Sequence, residues 1–163
     1  MMIPNAAPSD PPTVGPAAVV VVPAGGSGAR MGAGCPKQYL PVAGRPILSH
    51  TLDRLQACAA VNAIILVVRP EDRERCARLG LGPEGFSKIR TVADGGAKRW
   101  QTVRAGLAHT LPDDHLVLIH DGVRPFVSSA VIARVAAAAW EHGAAVAAVP
   151  VKETVKEARD GCV

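Results

Sequence analysis

Residues 17–40 read AAVVVVPAGGSGARMGAGCPKQYL. A short apolar run dominated by valine, bounded by turn residues, reads as a strand buried on both faces, the kind a parallel sheet requires. The residues after Pro23 are the reverse in character. Gly25, Gly26 and Gly28 fall within four positions, and the cations Arg30 and Lys37 come after them. Glycine reaches backbone conformations closed to other residues, and consecutive N–H groups in such a turn form a nest for an anion. Two full positive charges beside that nest suit a triphosphate better than a single carboxylate. A purely structural strand-to-loop turn would leave both cations unexplained.

Outward from this stretch, further apolar runs recur at 63–68, 89–93, 116–120 and 144–151. Segments with helical spacing lie between them. In PILSHTLDRLQAC, Ile47, Leu48, Leu52 and Leu55 share a face behind Pro46. EDRERCARLG opens acidic and closes on glycine, as the helix dipole and a C-cap favour. AKRWQTVRAGLAHT sets Trp100, Val103 and Leu107 on one stripe, with Trp100 expected in the core. SSAVIARVAAAAWEHG carries a serine cap, a stripe of Ile132, Val135 and Ala139, and a terminal glycine. Five strands alternating with helices predict an α/β fold with a doubly wound, mostly parallel sheet in a Rossmann-like three-layer α/β/α arrangement. In such sheets ligands sit at the carboxyl ends of the strands. The polar, glycine-rich stretches 24–37, 94–99 and 121–125 fall at those ends and are expected to converge on one crevice.

Composition narrows the class. The 163 residues suffice for one domain, placed at 17–151 behind a Pro-rich tail, 1–16, that reads as disordered. The tail lacks the basic and apolar regions of a signal peptide. With 48 % apolar but only 3 % aromatic residues, the core must be built from Val, Ile, Leu and Ala. The formal charge of +4 is scattered, with no dense basic run interleaved with aromatics, so a small anionic ligand is expected and nucleic acid is not. Cys35, Cys58, Cys76 and Cys162 are far apart and form no zinc spacing; free thiols in a reducing cytoplasm are expected. No apolar stretch approaches the roughly 20 residues of a membrane span, so no membrane partner is expected.

Two phosphate-loop types do not fit the opening stretch. A dinucleotide fingerprint needs a third glycine where Met31 stands and an acidic residue about 20 positions on. A Walker A loop needs GK[ST], whereas this lysine lies in PKQ. The run GSGARM followed by PKQ instead resembles the signature of sugar and polyol phosphate nucleotidyltransferases. DGGAKRWQTV and LIHDGVRPFV narrow the likeness to the 2-C-methyl-D-erythritol 4-phosphate cytidylyltransferase family, with the ribitol 5-phosphate cytidylyltransferases as close relatives. It extends from about Ala17 to the end of the chain.

The resemblance implies transfer of CMP from CTP to a polyol phosphate with release of pyrophosphate, Mg²⁺ held mainly by the triphosphate, and a cytoplasmic homodimer. It implies catalytic roles for Arg30 and Lys37. Pro23, Ala24, Gly25, Gly26 and Gly28 would line the nucleotide, and Gly96 and Thr102 would read cytosine through a carbonyl and a hydroxyl. The family often has Ser where Thr102 stands, which keeps the hydroxyl. Asp121, Gly122 and Arg124 would touch ribose and acceptor, Thr154 would hold the acceptor phosphate across a dimer interface, and Arg99 would position. Arg99 and Thr102, three apart, are expected to point back to the same loop.

Plainer roles exist for several of these. Asp121 could cap the next turn, Arg99 could brace a loop, and Arg124 before Pro125 could be a surface turn. Lys37 beside Pro36 would be unremarkable without Arg30. His120 is expected to be a satisfied, half-buried imidazole, and Cys35 lacks the neighbours for redox chemistry.

Family members continue past the point matching Val163 with the rest of a dimerising arm, of which 152–163 would be the start. Beyond that point they also carry an Arg, a Thr and a late lysine of the acceptor half. The 163 residues are therefore expected to be a fragment or the front of a longer protein, such as a fusion with a later enzyme of the pathway. Alone they are expected to bind CTP weakly, turn over little and dissolve poorly. Two other readings stand beside this one: a different sugar-phosphate acceptor, and a nucleotide-binding domain without turnover.

Overall fold

A computed structural model describes residues 17–26 and 35–152 of the chain. Strand β1 (Ala18–Pro23) leads towards the glycine loop, and a short 3-10 turn, Lys37–Tyr39, comes after that loop. A two-residue hairpin is next, β2 (Pro41–Val42) and β3 (Arg45–Pro46). Ala43 and Gly44 at its tip have φ of 49° and 78°, the left-handed pair of a tight hairpin turn. The remaining elements are α1 (Ile47–Ala57), β4 (Val61–Val68), a second 3-10 turn (Pro70–Asp72), α2 (Arg73–Arg78), β5 (Ile89–Asp94), α3 (Arg99–Leu107), β6 (Val117–Ile119) and α4 (Ser129–His142).

Strands β5, β4, β1 and β6 lie side by side in that order, all parallel. From β1 the chain steps outward to β4 and β5, then returns to place β6 on the other side of β1. The winding therefore reverses between β1 and β6, where an open parallel sheet leaves a crevice beyond its carboxyl ends.

Alternation along the strands assigns each valine to a face. Val20 and Val22, with Ile64, Leu66 and Val68, pack against α1 (Leu48, Leu52, Leu55), α2 (Cys76) and α4 (Ile132). Val19 and Val21, with Ala63, Ile65, Val67 and Ala93, face α3 through Ala105. Both faces are covered, as the unbroken apolar runs require. Ser128 caps α4 by accepting a bond from the Val131 N–H at 3.3 Å, and Gly143 ends the helix at φ 85°. The described cysteines, Cys35, Cys58 and Cys76, are free thiols. No helix among the described residues is long and apolar enough to cross a membrane.

Two expectations fail. Residues 144–151 form no strand, and Val146 and Val149 are 86 % and 85 % exposed. Apolar content alone does not make a strand; a ladder partner is needed, and none among the described residues pairs with this segment. Trp100 is not core: it is 58 % exposed, and Leu107 is also exposed. The buried face of α3 is Thr102 and Gly106, because small residues let this helix lie close on the sheet.

Asp114 locks the approach to β6. Its carboxylate takes two bonds from Arg90 on β5, at 2.5 and 2.9 Å, and a third from the Leu111 N–H at 2.7 Å. The bonds from Arg90 hold its carboxyl below the usual carboxylate range, outweighing burial, which pushes it up. Because the folded value is the lower one, this stabilisation is complete above the ordinary carboxylate pKa and disappears as pH falls through the folded value. Asp114→Ala is expected to cost about 1–2 kcal/mol. Urea unfolding measured from neutral to strongly acid pH checks this, since the gap between wild type and variant should close at the acid end.

Candidate nucleotide site

The three loops do meet. The Gly122 N–H bonds to the Pro23 carbonyl at 3.3 Å, and the His120 N–H to Val21 at 3.0 Å, carrying the parallel pairing of β6 with β1 to the carboxyl ends. Gly122 is buried where a Cβ would stand 3.0 Å from Leu48 Cδ1 and 3.2 Å from Ala24 Cβ. A side chain there would push the 121–125 loop off the end of β1. On the other flank, the Ala24 N–H bonds to Val67 and the Gly95 N–H to Val68, both at 2.7 Å. The ends of β1, β4 and β5 are thus stitched together.

Thr102, in the first turns of α3, sits where the loops after β1 and β5 adjoin. It is buried, and its hydroxyl donates to the Gly96 carbonyl at 3.2 Å, with the Lys98 carbonyl at 3.3 Å. A Cβ on Gly25 would lie 3.5 Å from the same hydroxyl. Gly25, Gly96 and Thr102 therefore adjoin one another at the carboxyl end of the sheet. A carbonyl has two lone pairs, so Gly96 can accept from Thr102 and still accept from a ligand amino group.

Arg99 points elsewhere. Its guanidinium reaches Asp121 at 2.7 Å, while Arg124 holds the other carboxylate oxygen at 3.0 Å. Arg99 and Thr102 thus serve different loops, contrary to the expectation, because residues at the first and fourth positions of the helix meet different strand ends. Burial pushes the Asp121 carboxyl up, but the bonds from Arg99 and Arg124 outweigh it and the net shift is downward. Asp121 is a fixed anion across neutral pH, and with its two partners leaves one net positive charge at the crevice. His120 is half-buried as expected but not satisfied: its Nδ1 has no partner among the described residues. Burial pushes its pKa down, so the ring is neutral at pH 7.

Lys37 opens the 3-10 turn beyond the glycine loop. Among the described residues no carboxylate lies within ion-pair distance of it. Pro23 and Gly25 are half-buried, Ala24 is buried and Gly26 is exposed at the mouth. Gly28, Arg30 and Thr154 lie outside the described residues, as do the tail at 1–16 and the arm from 153 onward.

Two residues at the crevice escaped the sequence reading. Arg69 comes directly after β4, with its Cγ 3.5 Å from a Cβ on Gly25 and its guanidinium on the buried Asp72 at 2.8 Å. A cation right after a buried strand was the available signal. Gln38 is 1 % exposed and donates to the Ala24 carbonyl at 2.8 Å. Nothing local in the sequence announces that contact.

Comparison with known proteins agrees with this architecture. The family model described as 2-C-methyl-D-erythritol 4-phosphate cytidylyltransferase matches residues 18–163. A protein of that name from Syntrophus aciditrophicus (strain SB) is 46 % identical over 142 residues, covering 87 % of this chain and 61 % of its own length. A protein named bifunctional enzyme IspD/IspF, from Desulforudis audaxviator (strain MP104C), is 47 % identical over 138 residues, covering 85 % of this chain and 35 % of its own. A crystal structure of a 4-diphosphocytidyl-2C-methyl-D-erythritol synthase superposes with a TM-score of 0.67 at 28 % identity, over 91 % of this chain and 67 % of that one. The chain thus spans less than two thirds of the length of these curated relatives. With residues 23–26, the loop at Gly96 and the Asp121 loop gathered at one sheet end, the chain belongs to the 2-C-methyl-D-erythritol 4-phosphate cytidylyltransferase family.

Proposed function

We propose that this chain carries the nucleotide half of a cytidylyltransferase. The α-phosphorus of CTP is attacked by the phosphate oxygen of 2-C-methyl-D-erythritol 4-phosphate. A new P–O bond forms, the α–β phosphoanhydride bond breaks, and pyrophosphate departs with the electron pair. The observation that carries this reading is the meeting of the chain ends after β1, β5 and β6 at one end of the sheet, with Lys37 unpaired by any described carboxylate. A phosphomonoester has its second pKa near 6, so the nucleophile is already mostly ionised at neutral pH and needs no general base. The work left is to bring two polyanions together and stabilise charge on the leaving group, which is electrostatic positioning.

In this reading Lys37 and Arg30 take the triphosphate, and Pro23 to Gly26 with Gly28 lie along base, ribose and phosphates. Asp121 and Gly122 meet the ribose, Arg124 and Thr154 the acceptor, and Arg99 braces Asp121. Mg²⁺ enters with the triphosphate as part of the substrate. Asp121 is already engaged by two guanidinium groups, so in this reading the triphosphate supplies the ligands of the ion. The residues from 152 onward are proposed as the start of a dimerising arm in a cytoplasmic homodimer.

Cytosine presents an amino donor where uracil presents a carbonyl, so the Gly96 carbonyl favours the former, and the Thr102 hydroxyl supports it. Thr102→Val is expected to weaken CTP binding about 10-fold and narrow its advantage over UTP, whereas Thr102→Ser leaves both nearly unchanged. Calorimetric titration with each nucleotide checks this. The activity itself is tested by pyrophosphate release from CTP in the protein at its natural length, with 2-C-methyl-D-erythritol 4-phosphate and ribitol 5-phosphate in parallel. Release with neither acceptor, or with ribitol 5-phosphate alone, overturns the assignment.

A further inference from the structure

We infer that Gln38 is a positioning residue that keeps Lys37 in register with the end of β1; this rests on the reading of Lys37 as a triphosphate-contacting cation. Gln38 is 1 % exposed, and a buried amide is tolerated only when hydrogen-bonded. Its Nε2 reaches back across 14 positions to the Ala24 carbonyl at 2.8 Å. Ala24 is itself fixed from the other side through its N–H to Val67. The amide therefore joins the turn bearing Lys37 to a rigid point of the sheet, on the residue next to Gly25.

The same turn is held from behind. Tyr39 is buried with its hydroxyl 3.3 Å from Cys76 Sγ on α2, and the Arg75 guanidinium lies over its ring at 5.2 Å. The Tyr39 N–H closes on Pro36 at 2.9 Å. Tyr39 thus ties the turn to a helix, while Gln38 ties it to the strand from which the glycine loop departs. A lysine ammonium rides on four flexible methylenes, so the protein can pre-set only where its backbone stands. Gln38 is the neighbour that does so relative to β1. Packing alone does not call for an amide here; Leu or Met would fill similar space without a polar group to satisfy.

The test is a double-mutant cycle in the protein at its natural length. Turnover and KM for CTP are measured for Gln38→Leu, Lys37→Ala and the pair. Gln38→Leu is expected to lower kcat about 10- to 30-fold with KM for CTP changed less than about threefold. In the Lys37→Ala background the same change should cost less than about twofold, since the group being positioned is gone. Gln38→Glu supplies a second handle. Ionised, its carboxylate cannot donate to the Ala24 carbonyl; protonated, it can. Burial at this position disfavours the ionised carboxyl and pushes its titration upward, so activity relative to wild type should recover as pH is lowered from 8 towards 6.

Equal losses from Gln38→Leu in both backgrounds overturn the inference, as does full activity of Gln38→Leu. If Gln38→Leu does not fold, Gln38→Glu takes its place in the cycle, and a pH profile parallel to wild type then counts against the inference. Full turnover by Lys37→Ala alone is a different failure, which removes the underlying reading of Lys37.

Discussion

Lys37→Ala is expected to lower pyrophosphate release from CTP by about 10²- to 10³-fold, the usual consequence of removing one donor from a preorganised anionic site, about 3–4 kcal/mol. The loss should fall mainly on kcat. Charge on the departing pyrophosphate grows as the anhydride bond breaks, so a cation aimed at it binds the transition state better than bound CTP. Folding stability should be unaffected, because Lys37 forms no ion pair with a described residue and its turn is held by Gln38 and Tyr39. Lys37→Arg should restore only part of the rate, since a planar fork does not occupy the place of a compact ammonium. Arg30→Ala, outside the described residues, should show a loss of similar size. Steady-state assays with melting curves on the same samples decide the matter. A Lys37→Ala protein within about threefold of wild type would remove electrostatic stabilisation by this residue from the account.

Local chemistry was legible in the sequence. The valine run of β1 was legible because β-branched residues bounded by turn residues favour a strand covered on both faces. The serine and glycine bounding α4 act through their own neighbours, and both behave as read. The convergence of three loops came from the winding of a parallel sheet, without any knowledge of contacts. Failures came where tertiary packing chose between local options. Trp100, Val103 and Leu107 make a plausible apolar stripe, yet α3 turns Thr102 and Gly106 inward, because distance to the sheet decided which face was buried. Residues 144–151 have strand composition but no ladder partner among the described residues. The Arg99–Asp121 and Gln38–Ala24 contacts join residues 22 and 14 positions apart on different elements, and no periodicity encodes them. The charge at Asp121 was legible, but its pairing was not.

Gly106→Val should be the most damaging single change to the fold, costing about 3 kcal/mol, the upper end for overpacking a close-packed contact. A Cβ on Gly106 would stand 2.4 Å from Val21 Cγ1 and 2.9 Å from Val67 Cγ2, distances real Cβ atoms do not adopt. Val21 and Val67 lie on central strands β1 and β4 and are fully buried, so they have no space into which to turn. Relief must come from α3 lifting off the sheet. Thr102 is one helical turn before Gly106 on the same buried face, so the lift moves its hydroxyl away from Gly25. The expected result is therefore double: a lower urea midpoint, and weaker CTP binding even at temperatures where the variant is fully folded. Gly106→Ala should show the same pair of effects at smaller size, and its greater stability makes it the cleaner test. Lost stability with unchanged CTP affinity would mean that α3 can move without disturbing the site. The close seating of this helix would then serve the core alone, and the placement of Thr102 would have to be set by the 95–98 loop instead.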